Sequence, residues 1–298
     1  MPRTPLRLFL RPLTVALLMA LPALPAQAGK QPQPSAADVS AVQSILRNAD
    51  LLVACEAGDA RQVKKLLDEG VDPNASRTSG ATALSYAVAG KHAEVVHLLL
   101  AAKADPNRTT FGLAPLFLAA ENGDVDTVKL LLDAGAKVNA RLVAVDEEMK
   151  ARNGDTALMA AAAAGIGPGA TKALLAAGAD VNARADDGKT AVMQAVASEN
   201  IEVLRALLVA KPDVNARMKA PEDIDALTLA VGKRRADMVA LLIAAGAEVE
   251  VQLDGEVTIL EFAILSEQPE VAALLRKAGA QEPTAARLKM LREAAAQP

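Results

Sequence analysis

Groups that could do covalent or metal chemistry are scarce in this 298-residue chain, which contains two histidines and one cysteine. His92 and His97 are five residues apart, which sets them on different faces of a helix, whereas a helical metal pair needs i, i+4 spacing. Cys55 sits among small helix-forming residues and reads as core packing, because a reactive thiol needs an electropositive, accessible niche. With no second cysteine it forms no internal disulfide. Gly165-Ile166-Gly167-Pro168-Gly169 is glycine-rich but lacks the G-x-x-x-x-G-K-[ST] order and the preceding strand of a phosphate loop, so it reads as a loosened turn. Asp146, Glu147 and Glu148 are adjacent, and three successive side chains do not converge on one cation. The expectation is no catalytic residue, no metal site and no cofactor.

The informative spacing belongs to asparagine. The tract Val71-Asp72-Pro73-Asn74-Ala75 returns around Asn107, Asn139, Asn182 and Asn215, at separations of 33, 32, 43 and 33 residues. A fixed period near 33 marks a stacked array in which each unit buries its apolar face against its neighbours. Before each asparagine lie two stretches of about eight to ten residues with apolar positions three and four apart, the pattern of paired helices. Glycine at 70, 135, 178, 246 and 279 stands where the second helix would end in a left-handed residue. Lys103 and Lys211 replace it in two units, whose ends should be strained or frayed.

The helix openings complete the pattern. Thr82-Ala83-Leu84-Ser85-Tyr86-Ala87, Ala114-Pro115-Leu116-Phe117-Leu118-Ala119, Thr156-Ala157-Leu158-Met159-Ala160-Ala161, Thr190-Ala191-Val192-Met193-Gln194-Ala195 and Thr258-Ile259-Leu260-Glu261-Phe262-Ala263 resemble the T-P-L-H-x-A opening of ankyrin repeats. Asp225 to Ala230 is a degenerate copy and Ala49 to Ala54 a more distant one. The resemblance covers roughly Arg47 to Ala280. It implies an all-α repeat solenoid of about seven ankyrin repeats, each a helix-turn-helix with a β-turn or hairpin finger, closed by N- and C-terminal capping helices. Histidine is missing from every copy, and proline survives only as Pro115, which should weaken the helix starts.

The domain reading follows from these limits. Residues 1–28 have basic Arg3, Arg7 and Arg11, an apolar run from Leu13 to Leu21 and an Ala26-Gln27-Ala28 cleavage signature, so they read as a signal peptide cut near Ala28. Residues 29–46 are a leader and a capping helix opened by Ser35, 47–281 are the array, and 282–298 are a C-terminal cap opened by Pro283. The expected location is the periplasm or the exterior, with no stable membrane anchor. Removing three arginines leaves 29 basic against 36 acidic residues, about −7, which argues against nucleic acid as a partner.

Function is sought where the period breaks. Ten extra residues fall mainly in 141–153, and such insertions map to loops on the binding face. This insert, either a hairpin finger or a loosely ordered loop, supplies Arg141, Met149, Lys150 and Arg152 as candidates. Arg77, Arg108, Arg141, Arg184 and Arg217 follow the motif asparagines closely and would form a basic stripe suited to an acidic partner, or merely a solvated edge. Phe111 is a candidate anchor beside Arg108, and Tyr86 the solvent-facing aromatic of its helix. The resemblance implies a non-enzymatic, monomeric scaffold binding another protein through its fingers and concave helix face. The alternative is a dedicated regulator, inhibitor or protective partner of a neighbouring exported enzyme.

Overall fold

The computed structural model describes residues 36–147, 149–219, 223–253 and 257–295, and the chain divides into two units, 1–42 and 43–298. The signal peptide and leader expected over 1–34, and their capping residue Ser35, lie outside the described residues. Of the first unit only the opening of α1 (Ala36–Ala57) is described. The second unit is built of helix pairs: α2 (Ala60–Asp68) after α1, then α3 (Ala83–Ala89) with α4 (Ala93–Ala101), α5 (Pro115–Glu121) with α6 (Val125–Asp133), and α7 (Ala157–Ala164) with α8 (Gly169–Ala176). The pairs continue as α9 (Ala191–Ala197) with α10 (Ile201–Val209), α11 (Ala226–Gly232) with α12 (Ala236–Ala244), and α13 (Ile259–Leu265) with α14 (Pro269–Lys277), before a final α15 (Ala285–Ala295). First helices pack on first helices, α5 on α7 and α7 on α9, while second helices form a parallel row, α4 on α6 and α6 on α8.

The core repeats slot by slot. Leu84, Leu116, Leu158, Val192, Leu227 and Leu260 are buried at equivalent points of the first helices, and Leu99, Leu131, Leu174, Leu207, Leu242 and Leu275 on the second. Each lies in the layer between consecutive units, so burial of apolar area supplies the stacking energy.

The helix starts are firmer than the loss of proline suggests. Thr82, Thr156, Thr190 and Thr258 each accept a hydrogen bond from the third amide of their helix, which satisfies one of the orphan donors. The vacated histidine slot divides by chemistry. Ser85 and Glu261 return a bond to the capping residue's N–H, at 2.9 and 2.8 Å, while Phe117, Met159 and Met193 fill the slot with buried apolar volume. Lys103 and Lys211 take the left-handed conformation, with φ of 71° and 52°. Lys103 still donates to the Leu100 carbonyl at 3.0 Å and Ala104 to that of Leu99 at 2.9 Å, so that helix end is strained without fraying.

Two boundaries differ from expectation. The expected break between a capping helix and the first unit near Arg47 is absent. Arg47-Asn48-Ala49-Asp50 contains no glycine or proline to stop a helix, and α1 runs through for 22 residues. At the other end Thr284, rather than Pro283, caps α15 by accepting from the Arg287 amide at 3.2 Å.

Leu131 is fully buried between units. Replacing it with alanine is expected to cost about 2–5 kcal/mol in denaturant unfolding, because a rigid stack does not collapse into the cavity; a cost below about 1 kcal/mol would mean that the layer relaxes freely.

Candidate functional site

The motif asparagines are the hinge pins of the site. Asn74, Asn107, Asn139, Asn182 and Asn215 each accept, through the side-chain oxygen, a hydrogen bond from the backbone N–H of Asp105, Lys137, Asp180, Asp213 and Glu248 in the next unit, at 2.8–2.9 Å. Asn107, Asn139 and Asn215 also donate to the carbonyls of Gly135, Gly178 and Gly246. In four of the five tracts Asp72, Asp105, Asp180 and Asp213 accept from the amide two residues on, which fixes the turn that aims the asparagine, while Lys137 stands at that place before Asn139. A further bridge escaped the sequence reading: Glu250 accepts from Gln281 N–H at 2.6 Å, replacing asparagine by another side-chain oxygen.

Beyond each bridge the chain projects a finger. The second finger is a two-residue hairpin turn, with Thr110 and Leu113 exchanging backbone bonds at 2.9 and 3.0 Å. Phe111 and Gly112 occupy its centre with φ of 50° and 77°. Two positive φ angles define the turn type that favours Asn-Gly, so a phenylalanine here is strained by about 1–2 kcal/mol. Phe111 is 49% exposed. A strained turn carrying an exposed aromatic makes Phe111 the candidate contact residue of this finger.

The insert lies against this finger. Its described residues form a loop and not an extended hairpin: Arg141 and Thr156 form an isolated bridge, Leu142 exchanges bonds with Asp155 and Gly154, and a 3-10 turn covers Lys150–Arg152. Leu142 is buried, while Val143 and Val145 on either side of Ala144 are 64% and 56% exposed. Val143 N–H reaches the Gly112 carbonyl at 3.4 Å, and a Cβ on Gly112 would overlap the Val143 carbonyl. Glycine is therefore needed for the two fingers to touch. Phe111 is the chain neighbour of Gly112, so three exposed apolar residues, Phe111, Val143 and Val145, border the junction of the adjoining fingers. The alternation over 142–145 was the available signal for the two valines.

Most of the expected arginine stripe serves the array itself. Arg77 pairs with Glu56 at 2.9 Å and lies over the Tyr86 ring at 4.8 Å. Arg108 donates to the Asn74 carbonyl and to Ser76, in the preceding finger. Arg141 bonds Asp186 and the Arg184 carbonyl, each at 2.8 Å, Arg184 pairs with Asp213 at 3.2 Å, and Arg217 pairs with Asp223 at 2.9 Å. Tyr86, expected to face solvent, is only 5% exposed. The reason is local: Arg77 covers it, and α3 is enclosed by its neighbours α4 and α5. The first helices as a group are largely buried, so the helix face offers less surface than the fingers.

Arg152 clamps the insert's stem. It pairs with Glu121 at 2.9 Å and with Asp155 at 3.5 Å, and its guanidinium lies 5.0 Å from the Phe117 ring centre. Lys150 pairs with Glu147 on the outside, and Met149 N–H is held by the Asp146 carboxylate. Asp155 is 3% exposed, and its Oδ1 has no hydrogen-bond partner. Burial pushes its carboxyl up to about 6, against the opposing charge of Arg152. The remaining candidates are structural. His92 bonds the Glu56 carbonyl at 3.2 Å and lies over Gly58. Cys55 is buried, which raises its thiol to about 12, far from a reactive form. Gly165 ends α7 in the left-handed conformation and Pro168 leads into α8. Among the described residues no His, Cys, Asp and Glu side chains form a group that could hold a metal ion, and no helix is long and apolar enough to cross a membrane.

The family described as ankyrin repeats in three copies matches residues 51–142 and 140–218, more than half of the sequence. The chain belongs to the ankyrin repeat family. Human mitochondrial disaggregase is 46% identical over 61 residues, 20% of this chain and 9% of that protein. The ankyrin repeat and KH domain-containing protein mask-1 of Caenorhabditis elegans is 30% identical over 229 residues, 68% of this chain and 9% of that protein. Bovine cyclin-dependent kinase 4 inhibitor B is 35% identical over 96 residues, 32% of this chain and 72% of the inhibitor. The chain spans only 14% and 9% of the bovine and human disaggregases. The human ASB11 ankyrin repeat domain superposes with a TM-score of 0.65 at 21% identity, over 78% of this chain and 99% of that domain. Ankyrin repeats generally mediate protein–protein interaction, and the fold is typically a non-enzymatic scaffold.

In this ankyrin array the titration of Asp155 has a definite sign. A carboxyl raised from 3.8 to about 6 binds its proton more tightly in the folded state, so its contribution is present below pH 4 and is lost as pH rises through 6. Asp155→Asn removes that dependence. Denaturant unfolding at pH 4.5 and 7.5 should show the variant gaining on the parent at the higher pH, by on the order of 2 kcal/mol; an equal difference at both pH values would contradict the assignment.

Proposed function

We propose that this chain binds another protein through its second and third fingers, with Phe111, Val143 and Val145 as the apolar centre of the contact. The observation that carries this reading is Phe111, an exposed aromatic held in a left-handed turn position that Asn or Gly would occupy without strain. Exposed aromatics at the centre of an interface contribute disproportionately to binding. Three side chains are small against a standard interface of about 800 Å² per partner, so the contact extends along the neighbouring fingers. There the arginines of the stripe act through their ordering of the edge, with Met149 and Lys150 on the outer turn of the insert.

The protein works as a monomer. It is exported to the periplasm or beyond after cleavage near Ala28, a reading that the pattern of residues 1–28 supports. A second reading, an inhibitor or regulator of an exported enzyme, draws on the likeness to the bovine kinase inhibitor, which is matched over 72% of its length.

The test is a substitution that separates stability from binding. Phe111→Asn should raise stability by about 0.5–1 kcal/mol by relieving the turn, and should lose the proteins that the parent captures from extracts of its own source. A variant that is more stable and captures the same proteins would refute the reading, as would a variant that is less stable because Phe111 supports the fold.

A further inference from the structure

We infer that the partner presents an extended segment, which pairs through its backbone with the free edge of the second finger, in a gap between the first and second fingers. The inference rests on the proposed use of Phe111 and concerns the form of the segment that meets it. The later fingers are zipped to one another by backbone bonds in a single register. Val143, Asp186 and Lys219, each four residues after its motif asparagine, donate their N–H to the carbonyls of Gly112, Asn153 and Asp187 in the preceding finger, at 3.4, 3.0 and 2.8 Å. Phe111 holds that place in the second finger, and among the described residues its N–H makes no bond to the first. The acceptor is spare as well. Ser79 stands before Gly80 as Asn153 and Asp187 stand before Gly154 and Gly188, and its carbonyl has no backbone donor among the described residues.

The break has a cause in the sequence. The first and fourth fingers place three residues between their bonded ends, Arg77 with Ala81 and Ala185 with Lys189, whereas the second places two, between Thr110 and Leu113. That missing residue matches the shorter spacing of 32 from Asn107 to Asn139. Phe111 is thereby drawn into the left-handed region, at φ 50°, which Val143, Asp186 and Lys219 do not enter. Beyond the asparagine bridge at the root, the Arg108 side chain joins the two fingers, at the Asn74 carbonyl and Ser76. Thr110 turns its N–H and carbonyl to Leu113, while those of the exposed Thr109 beside it have no backbone partner among the described residues. An edge with spare donors and acceptors is a template for another strand, and three neighbouring junctions show the same position filled by backbone. Main-chain pairing gives affinity there, and Phe111 selects an apolar side chain beside it.

The probe is a linear peptide selected on the immobilised full chain from a random phage-displayed library, then resynthesised with one backbone amide N-methylated at a time. Binding should fall about tenfold or more at alternate positions and stay within about twofold between them, because only every second residue of a strand bonds a given neighbour. Phe111→Asn, which keeps the two-residue turn and removes the ring, should weaken the parent's peptide. Placing one aspartate between Phe111 and Gly112, which restores the three-residue turn of the fourth finger, should close the gap and abolish binding while the chain still unfolds cooperatively. Loss at every position, as a helical peptide gives, or at none, with weaker binding to Phe111→Asn, would overturn the strand pairing and leave Phe111 as a contact. Alternate loss that Phe111→Asn binds as well as the parent would keep the pairing and remove Phe111 from it. Full binding to the insertion variant would overturn the gap as the site. No enrichment by the parent would overturn the pairing and the use of Phe111 together.

Discussion

The structure hangs on one side-chain hydrogen bond made over and over: the oxygen of a motif asparagine accepting the amide that opens the next unit's tract. That amide leaves the end of a second helix, where no intrahelical partner exists for it. With the bridge in place the finger roots are locked at one spacing, and leucines buried between units can form continuous layers. The bond demands a fixed register in space, each asparagine meeting the same backbone atom of the next unit, and most units meet it with a period near 33 residues. The bond tolerates a change of residue but not of chemistry. Glu250 makes it with a carboxylate oxygen at the end of the array.

The bridge also explains how ten extra residues fit. Asn139 reaches Asp180 across 41 positions at 2.8 Å, the same distance that Asn107 spans to Lys137 across 30. The insertion is therefore expelled mainly into the finger, where it must find its own partners. Leu142 turns inward, Arg152 ties the stem to Glu121, Asp155 and the Phe117 ring, and Asn153 and Arg141 tie the far side to Asp186. What the core does not absorb, Val143 and Val145, is left at the surface beside the strained turn of Phe111. A rigid stack thereby displays apolar residues at the place where its period departs most.

The stack was legible in the sequence because it rests on local, repeated signals: the asparagine spacing, the helix openings and the glycine ends. The candidate site was legible only in outline. Phe111 and the insert could be singled out from an irregular aromatic and an irregular spacing. The burial of Tyr86 could not, because it follows from Arg77 folding over the ring and from helices on two sides, neither of which has a signature along the chain. The arginines were readable as a stripe but not as engaged, since the acids of Arg184, Arg141 and Arg77 sit 29 residues downstream at Asp213, 45 downstream at Asp186 and 21 upstream at Glu56, and Arg108 turns to Asn74 and Ser76 in the preceding finger. The continuity of α1 past Arg47 follows from the absence of a stop signal, with no glycine or proline between Ala36 and Ala57. Glu250 was hidden because its unit lacks asparagine and its spacing is two residues longer.

The central claim is that fingers pinned by asparagine bridges, and not the buried first helices, meet the partner. Amide hydrogen exchange on the chain with and without a captured partner tests it most directly. The account predicts slowed exchange at 108–113 and 142–147, with α3, α5 and α7 unchanged. Protection confined to those helices, with the two fingers exchanging as fast as in the free chain, would contradict it.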